Sequence, residues 1–340
     1  MSITAAVIGL GPHGRRILGA LGEEGATVVA VVDSRHEAIA QVALPVGCRP
    51  LQDAATLWSE PGLDLVCIAT NGPSHAELAL AAIAAGVPRV IIEKPMACSV
   101  SECDRILEAA AKAGTRIAVN QSRRHDPFYQ WLRDQVRSGR WGDLLALWIQ
   151  RPGIGLGCLG THSFDLAAYL FDSTPRKVSG WVDSPRGRNP RGDQFRDPGG
   201  LVVMDFGAER RAVVAQLESG AGPMSVELDL TGGRVRIDEK LDRIEVITRS
   251  TGSGPTPSTM PPLVEEPLPS GLSARTDMKR MLRGLISEVL SEGDLTCDGS
   301  HGRLAVEVLA AAYLSSERGS SPMELPLADQ EDRDQWLPVT

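Results

Sequence analysis

A glycine-rich turn near the N-terminus has the residue types and spacing that dinucleotide binding requires. Gly9, Gly11 and Gly14 follow the pattern G-x-G-x-x-G, after the apolar run Ile3 to Gly9 and at the start of a predicted helix. In this setting the first glycine permits a tight turn, the second lets the backbone approach a pyrophosphate, and the third lets helix and strand pack closely. The alternative is a glycine turn in an unrelated α/β protein.

The acidic residue that accompanies this pattern is also present. Asp33 ends the second predicted strand, 19 residues after Gly14. Its carboxylate would accept hydrogen bonds from the adenosine ribose hydroxyls, whereas a 2′-phosphate would meet a like charge. NAD is therefore predicted as the cofactor, and Arg35 keeps NADP as an alternative; otherwise Asp33 is a helix cap.

Two further residues have the chemistry to act on a substrate. Lys94 follows a predicted strand, and ligands gather at the carboxyl ends of parallel strands, so its ammonium could polarise a substrate oxygen. His162 precedes Asp165 by three residues, so one helix face carries both, and the carboxylate could orient the imidazole. A histidine can remove or return a hydroxyl proton near neutral pH. The alternatives are a surface lysine beside a turn, and a capping or core histidine.

The elements that must position these residues begin with an alternation of strands and helices. Ser99, followed three residues later by Glu102, has the capping-box pattern of a helix start. The alternation predicts a doubly wound parallel sheet, hence an α/β fold. The strands are expected at 3–9, 27–33, 63–70, 89–93 and 116–120, and the helices at 15–21, 35–43, 74–86 and 99–113.

After about residue 122 the regular alternation of strands and helices ends, and we place the boundary between domains 1–122 and 123–340 there. A run of strands predicts a large open, mostly antiparallel sheet in a C-terminal α+β domain. Residues 250–271 are rich in Pro, Ser, Thr and Gly and are predicted to form a loop. The helices are expected at 127–138, 159–171, 273–291 and 300–317, and the strands at 144–151, 177–183, 201–206, 210–217, 224–230, 233–238 and 243–248.

Composition excludes several classes of protein. The 340 residues carry a formal net charge of −8, which argues against a general nucleic-acid binder, although residues 121–200 are basic. No apolar run is long enough to cross a bilayer, and the N-terminus lacks the features of a signal peptide. The six cysteines form no C-x-x-C pair, so we expect a cytoplasmic protein without disulfides.

Taken in order, the motifs resemble the glucose–fructose oxidoreductase/inositol dehydrogenase (Gfo/Idh/MocA) family. The matching segments are the glycine motif with Asp33, Ile68-Ala69-Thr70-Asn71 with His75, Glu93-Lys94-Pro95, Asn120-Gln121-Ser122-Arg123-Arg124 with Asp126-Pro127, Gly139-Arg140-Trp141-Gly142, and Gly160-Thr161-His162-Ser163-Phe164-Asp165-Leu166. The resemblance implies a Rossmann domain, a second domain whose sheet forms homodimers or homotetramers, and a Lys94–Pro95 bond that can be cis. It also implies catalytic roles for Lys94 and His162.

The resemblance extends the expected cofactor site beyond the glycine motif. The expected cofactor-binding residues are Gly9, Gly11, Pro12, His13, Gly14, Asp33, Ser34, Arg35, Thr70, Asn71, His75, Glu93, Lys94 and Gln121. One position departs from the family, because Cys158 stands where many members carry an Asp four residues before the histidine. Cys158 and His162 lack a clear third ligand, so no metal is expected, and Cys158 is interpreted as a small buried residue.

The substrate is expected to be a small molecule. Guanidinium groups suit carboxylates and phosphates, which favours an anionic sugar; in the alternative, the arginines of segment 184–200 are solvated and pair with Asp183, Asp193 and Asp197. The candidate substrate residues are Arg123, Arg124, Arg151, Cys158, Thr161 and Asp165.

The chemistry leaves three functions open. The first is an NAD(P)-dependent dehydrogenase that transfers hydride between a nicotinamide and a carbinol carbon of a sugar, sugar acid or cyclitol. The second is a glycosidase-type enzyme that uses NAD without net redox change. The third is a regulator that binds the cofactor and has lost catalysis, an alternative that Cys158 keeps open.

Overall fold

The computed structural model describes residues 3–60, 62–153, 155–184, 189, 191–249, 262–337 and 339. Its first layer is a six-stranded parallel sheet in the order β3-β2-β1-β4-β5-β6, the order of the dinucleotide-binding fold. The strands are β1 (Thr4–Ile8), β2 (Thr27–Val32), β3 (Arg49–Leu51), β4 (Leu65–Ile68), β5 (Arg89–Ile92) and β6 (Arg116–Val119). The helices between them are α1 (Pro12–Glu23), α2 (His36–Ala40), α3 (His75–Ala84) and α4 (Val100–Ala113).

This sheet forms because its central strands are apolar along their whole length. Every residue of β4 is buried, and so are Val90, Ile91 and Ile92 of β5, as expected for strands covered by helices on both faces. The capping box of α4 is confirmed: the Ser99 hydroxyl accepts the Glu102 N–H at 3.1 Å, and the Glu102 carboxylate accepts the Cys98 N–H at 2.9 Å.

The second layer is a nine-stranded sheet in the order β14-β13-β12-β11-β7-β10-β9-β8-β15. All its neighbouring strands are antiparallel except β7 and β10, which confirms the mostly antiparallel prediction. The strands are β7 (Leu144–Pro152), β8 (Lys177–Val182), β9 (Gly200–Gly207), β10 (Arg210–Leu217), β11 (Ser225–Leu230), β12 (Gly233–Asp238), β13 (Arg243–Arg249), β14 (Leu263–Glu265) and β15 (Met323–Glu324).

Helices cover one face of the second sheet and also tie it to the first. They are α5 (Pro127–Arg137), α6 (Thr161–Phe171), α7 (Met278–Leu290), α8 (Gly299–Glu317) and α9 (Gln330–Asp334). Helix α7 returns to the first sheet, where Leu282 and Ile286 join the core that contains Ile17 and Leu21. The division into two domains at residue 122 stays a prediction. It does not take account of α7, which lies after residue 122 in the chain but packs on the first sheet.

The structure differs from the sequence expectation at some edges. Residues 250–261 of the expected loop lie outside the described residues, and β14 pairs with β13 where the loop was expected to continue. The expected helix at 35–43 is limited to α2, and the short strands β3 and β15 were missed. Within the described ranges, no helix is long and apolar enough to cross a membrane.

Candidate active site

The glycine motif forms a cradle at the N-terminus of α1. Gly9 has φ +94°, and a Cβ there would lie 2.6 Å from the Ala69 carbonyl oxygen. A Cβ on Gly14 would lie 1.8 Å from the Gly9 oxygen, whereas a Cβ on Gly11 would meet open space. The turn therefore packs tightly on one side and leaves its backbone accessible on the other. This is the shape that a pyrophosphate at a helix N-terminus needs.

Asp33 stands beside this cradle and is held in place from two directions. One carboxylate oxygen accepts the Leu10 N–H at 2.8 Å, and the other accepts the Arg35 N–H at 3.0 Å. The Arg35 guanidinium also donates to both oxygens at 3.0 Å. Burial acts to raise the pKa of Asp33, but these hydrogen bonds outweigh it and hold the pKa below its ordinary value. Asp33 is therefore a carboxylate anion, and its oxygens can accept hydrogen bonds from ribose hydroxyl groups.

A cleft of about 980 Å³ opens over the carboxyl ends of the strands and contains most of the expected cofactor residues. Gly14, His75 and Gln121 do not line it. The expected residues that do are Gly9, Gly11, Pro12, His13, Asp33, Ser34, Arg35, Thr70, Asn71, Glu93 and Lys94. Leu78 and residues 52–54, which come from segments without a motif, also line the cleft and were not predicted. The cradle, the ribose acceptor and the size of the cleft all fit a dinucleotide.

His75 does not line the cleft, and both of its ring nitrogens lie within hydrogen-bond distance of backbone carbonyl oxygens. Its Nδ1 is 2.7 Å from the Pro95 carbonyl oxygen and its Nε2 is 3.1 Å from the Thr70 carbonyl oxygen. The side chain is buried, and this desolvation lowers its pKa. His75 was expected to bind the cofactor, and that role stays a prediction; in the structure its ring joins the loop after β4 to Pro95. The Lys94–Pro95 peptide bond is cis, as the resemblance implied.

Lys94 is fixed at the end of the cleft that faces the second domain. Its Nζ donates to the Cys158 carbonyl oxygen at 2.8 Å and lies 3.8 Å from the Cys158 sulfur. Next to it, the Glu93 carboxylate accepts from the Asn120 amide at 2.6 Å and lies 3.6 Å from Nδ1 of His13. Cys158 was interpreted as a small buried residue, but it is half-buried and its sulfur lies close to the Lys94 ammonium.

His162 occupies the first turn of α6, close to this lysine. Within the part of the chain that the structure describes, its Nδ1 has no hydrogen-bond partner. Burial, together with the positive charges of Lys94 and Arg151, lowers its pKa well below the ordinary value. The ring is therefore neutral at physiological pH and has a nitrogen lone pair available for a proton.

Asp165, expected to orient His162, is engaged elsewhere. Its carboxylate accepts from the Arg124 guanidinium at 2.9 Å, and both side chains are buried. Arg123 is held by Glu239 in the same way, with two bonds of 2.9 Å. Arg123, Arg124 and Asp165 stay predicted substrate residues. Their pairing in the structure favours a structural role, because buried charges are stable only when paired.

Two more expected substrate residues lie around the turn 156–160. The Thr161 hydroxyl donates to the Gly157 carbonyl at 2.8 Å, so it serves the backbone of this π-helical turn. Arg151 reaches the same turn from the end of β7, with Nη1 3.4 Å from the Leu159 carbonyl oxygen.

Asp197 is the residue of this region whose role the sequence did not reveal. Its two carboxylate oxygens accept the N–H groups of Gly157 and Cys158, each at 2.7 Å, and burial raises its pKa to about 6. It had been considered only as a partner for the arginines of segment 184–200. Of those, Arg186 and Arg188 lie outside the described residues, whereas Arg191 lines the cleft. Among the described residues no cluster of His, Cys, Asp and Glu could hold a metal ion.

Comparison with known proteins agrees with this geometry. A sequence model described as "Oxidoreductase family, NAD-binding Rossmann fold" (GFO_IDH_MocA) matches residues 3–121. An inositol 2-dehydrogenase of Streptomyces avermitilis is 32% identical over 251 residues, which cover 69% of this chain and 72% of that protein. Inositol 2-dehydrogenase 3 of Saccharopolyspora erythraea is 33% identical over 213 residues, or 58% of this chain and 62% of the relative.

Solved structures share the whole fold at lower identity. An NAD-binding oxidoreductase from Klebsiella pneumoniae superposes with a TM-score of 0.78 at 18% identity, covering 96% of this chain and all of that one. The WlbA dehydrogenase from Bordetella pertussis, solved with NADH and UDP-GlcNAcA, has a TM-score of 0.77 at 19% identity and the same coverage. With its NAD-binding Rossmann domain and these relatives, the chain belongs to the Gfo/Idh/MocA oxidoreductase family.

Proposed function

We propose that the protein is an NAD-dependent dehydrogenase acting on a CH–OH group of a sugar, sugar acid or cyclitol. The observation that carries this proposal is the position of Lys94, which lines the dinucleotide cleft and contacts the turn that leads into His162. Support comes from relatives named inositol 2-dehydrogenase. The chain spans 62% of the length of the Saccharopolyspora erythraea relative, so the activity is a proposal for this chain.

The first domain binds and orients the cofactor in this proposal. The N–H groups of the glycine cradle and the N-terminus of α1 receive the pyrophosphate, and Asp33 receives the adenosine ribose. Bound NAD supplies the hydride acceptor for substrate oxidation. Because the carboxyl ends of β4 and β5 carry Thr70 and Lys94, the reactive end of the cleft lies against the second domain.

Lys94 and His162 have different roles in the reaction of the substrate hydroxyl. The Lys94 ammonium donates a hydrogen bond to the substrate oxygen and stabilises the negative charge that develops as the O–H bond breaks. The neutral His162 imidazole accepts that proton while hydride leaves the carbinol carbon. Since the pKa of His162 is held well below its ordinary value, the base stays available at pH values where a free histidine would be protonated.

Steady-state kinetics of two variants test this assignment. Lys94→Met and His162→Gln should each lower kcat by about 10²- to 10⁴-fold, while the Kd for NAD changes by less than about threefold. The acid limb of the pH profile of kcat/KM should lie below pH 6.5 and vanish in His162→Gln. A His162→Gln enzyme with normal kcat and an unchanged acid limb would remove His162 from the mechanism.

The same assays separate the competing functions. NADH absorbance that grows with a polyol substrate indicates a dehydrogenase. Release of an aglycone without net change in NADH indicates a glycosidase-type reaction, and cofactor binding without turnover indicates a regulator.

We also propose a cytoplasmic homodimer or homotetramer that assembles through the open face of the second sheet. Trp148 and Trp181 are 49% and 48% exposed on this face, and the exposed Leu201 pairs with Trp181 across two neighbouring strands. Contiguous apolar surface of this kind favours burial against a second copy. The cytoplasmic location agrees with six free thiols.

A further inference from the structure

We propose that Arg151 forms an anion-binding subsite next to His162, and that the substrate therefore carries a carboxylate in addition to its reactive hydroxyl. This inference rests on the proposed function, since it names the substrate class of the same site. Its starting point is a contrast among three arginines that the sequence alone could not tell apart.

Two of these arginines are neutralised within the protein. Arg123 forms a bidentate pair with Glu239, and Arg124 pairs with Asp165. Burial acts to lower the pKa of both guanidinium groups, but the carboxylate partners outweigh it and raise the pKa. These two arginines are structural, and neither has a free fork for a ligand.

Arg151 is the third arginine, and it lacks such a partner. Among the residues that the structure describes, no carboxylate lies within salt-bridge distance of it, and its hydrogen bond is the long contact to the Leu159 carbonyl. Burial, and after it repulsion from Arg123, lowers the pKa of Arg151 to about 10. The group is still a cation at neutral pH, so the fold holds a desolvated positive charge at this point.

Two acidic groups of this region are already in use. Glu239 accepts from Arg123 and, at 2.6 Å, from the Tyr129 hydroxyl. Asp197 accepts two backbone N–H groups. Removing a guanidinium from water costs several kcal/mol, and the Glu239 charge, which is shared with Arg123, offsets this cost only in part, so an anion from outside would stabilise the arrangement.

The position of Arg151 places that anion in the substrate. The side chain leaves β7 on the same face as Leu147 and Ile149, which is the face covered by helices. Arg151 and Lys94 each contact a carbonyl oxygen of the turn 156–160, and His162 lies two residues beyond that turn, so the three groups converge on one segment of the chain. A substrate whose hydroxyl lies between Lys94 and His162 therefore presents a neighbouring substituent to Arg151. One planar fork matches one carboxylate through two parallel hydrogen bonds.

Paired substrates and matched variants test this subsite. Glucose and galactose are compared with glucuronate and galacturonate, and glucose 6-phosphate serves as a phosphate-bearing probe. Arg151→Met removes the charge, Arg151→Lys keeps the charge without the fork, and Arg280→Met makes the same change at an exposed arginine of α7. Two readouts are used: NAD-linked kcat/KM, and equilibrium binding to the NADH-loaded protein followed by NADH fluorescence.

The expected result is a preference for the acids that depends on Arg151. Arg151→Met should reduce affinity and kcat/KM for the acids by about 10- to 100-fold, mainly through KM, with little effect on neutral sugars. Arg151→Lys should fall between, and Arg280→Met should match the wild type. Acid binding of this kind without turnover would uphold the subsite and refute the dehydrogenase.

Three outcomes overturn the subsite. In the first, neutral sugars are oxidised as well as their acids, which leaves the dehydrogenase intact. In the second, the Arg151→Met change affects acids and neutral sugars equally, which assigns Arg151 to folding. In the third, no binding specific to carboxylates is found: either neither acid binds at 10 mM, or glucose 6-phosphate is the one probe whose binding depends on Arg151.

Discussion

The cofactor preference can be tested through Asp33, because the structure shows what competes for its carboxylate. Before any cofactor binds, both oxygens accept hydrogen bonds from Arg35, whose side chain is 65% exposed. Ribose hydroxyls must displace this guanidinium. An exposed ion pair contributes about 0.2–1 kcal/mol, whereas a hydrogen bond to a charged group contributes about 1.5–3 kcal/mol. The exchange therefore favours the ribose by about 1–2 kcal/mol.

Asp33→Asn removes the charge and keeps an oxygen that can accept the Leu10 N–H. We expect the Kd for NAD to rise by about 10-fold, which corresponds to the loss of about 1.4 kcal/mol. The Kd for NADP should fall, because the 2′-phosphate no longer meets a carboxylate and the released Arg35 can bind it. Combined, the preference for NAD over NADP should shrink by about 100-fold.

The test is to measure the Kd for NAD and for NADP by titration of the wild type, Asp33→Asn and Arg35→Ala. Arg35→Ala serves as the matched control, since it should leave NAD affinity within about threefold of wild type and weaken NADP. Thermal melting of each variant without cofactor checks that the fold is intact. An unchanged NAD/NADP ratio in Asp33→Asn would refute the role of Asp33. Equal loss of NAD affinity in both variants would show that the carboxylate acts only by holding Arg35.

Three further outcomes follow from the geometry. Gly14→Ala should destabilise the protein by more than about 2 kcal/mol in denaturant titrations, since its Cβ would overlap the turn backbone. Glutamates at both Trp148 and Trp181 should reduce the mass measured by sedimentation to that of a monomer. Burial raises the pKa of Asp197 to about 6, so the folded state binds this proton more tightly and stability falls as pH rises from 4 to 7. Asp197→Asn should remove about 2 kcal/mol of that fall in stability between pH 4 and 7, and an equal fall in variant and wild type would contradict it.

Most of the fold could be predicted because local sequence patterns determine its longer strands and helices. Strands such as β2 and β4 consist of β-branched and apolar residues, and the capping residues of α4 act within three positions of each other. The short strands β3 and β14 were missed because neither has an apolar run. Each pairs with only one neighbouring strand at a sheet edge, so tertiary contact and not propensity makes it a strand.

The residues of the candidate site also include some that could be predicted from local sequence and some that could not. The glycine motif and Asp33 were predicted because their geometry is set by one turn and the adjacent strand ends. The ion pairs of Arg123 and Arg124 were not predicted because their carboxylate partners are 116 and 41 residues away along the chain. Nothing in a single sequence distinguishes an arginine that neutralises a buried acid from one that waits for a ligand.

Asp197 bears on the position where many members of the family carry an acid and this chain carries Cys158. A carboxylate still acts at this turn, but it comes from the segment that precedes β9 and it acts through the backbone. By holding the Gly157 and Cys158 N–H groups, Asp197 fixes the carbonyl that receives the Lys94 ammonium. Lys94 is thus oriented by a neutral oxygen. In the reaction proposed above, a substrate oxygen shares the ammonium protons without breaking a charged pair. The loss of the acid at position 158 therefore does not remove the means of positioning the lysine.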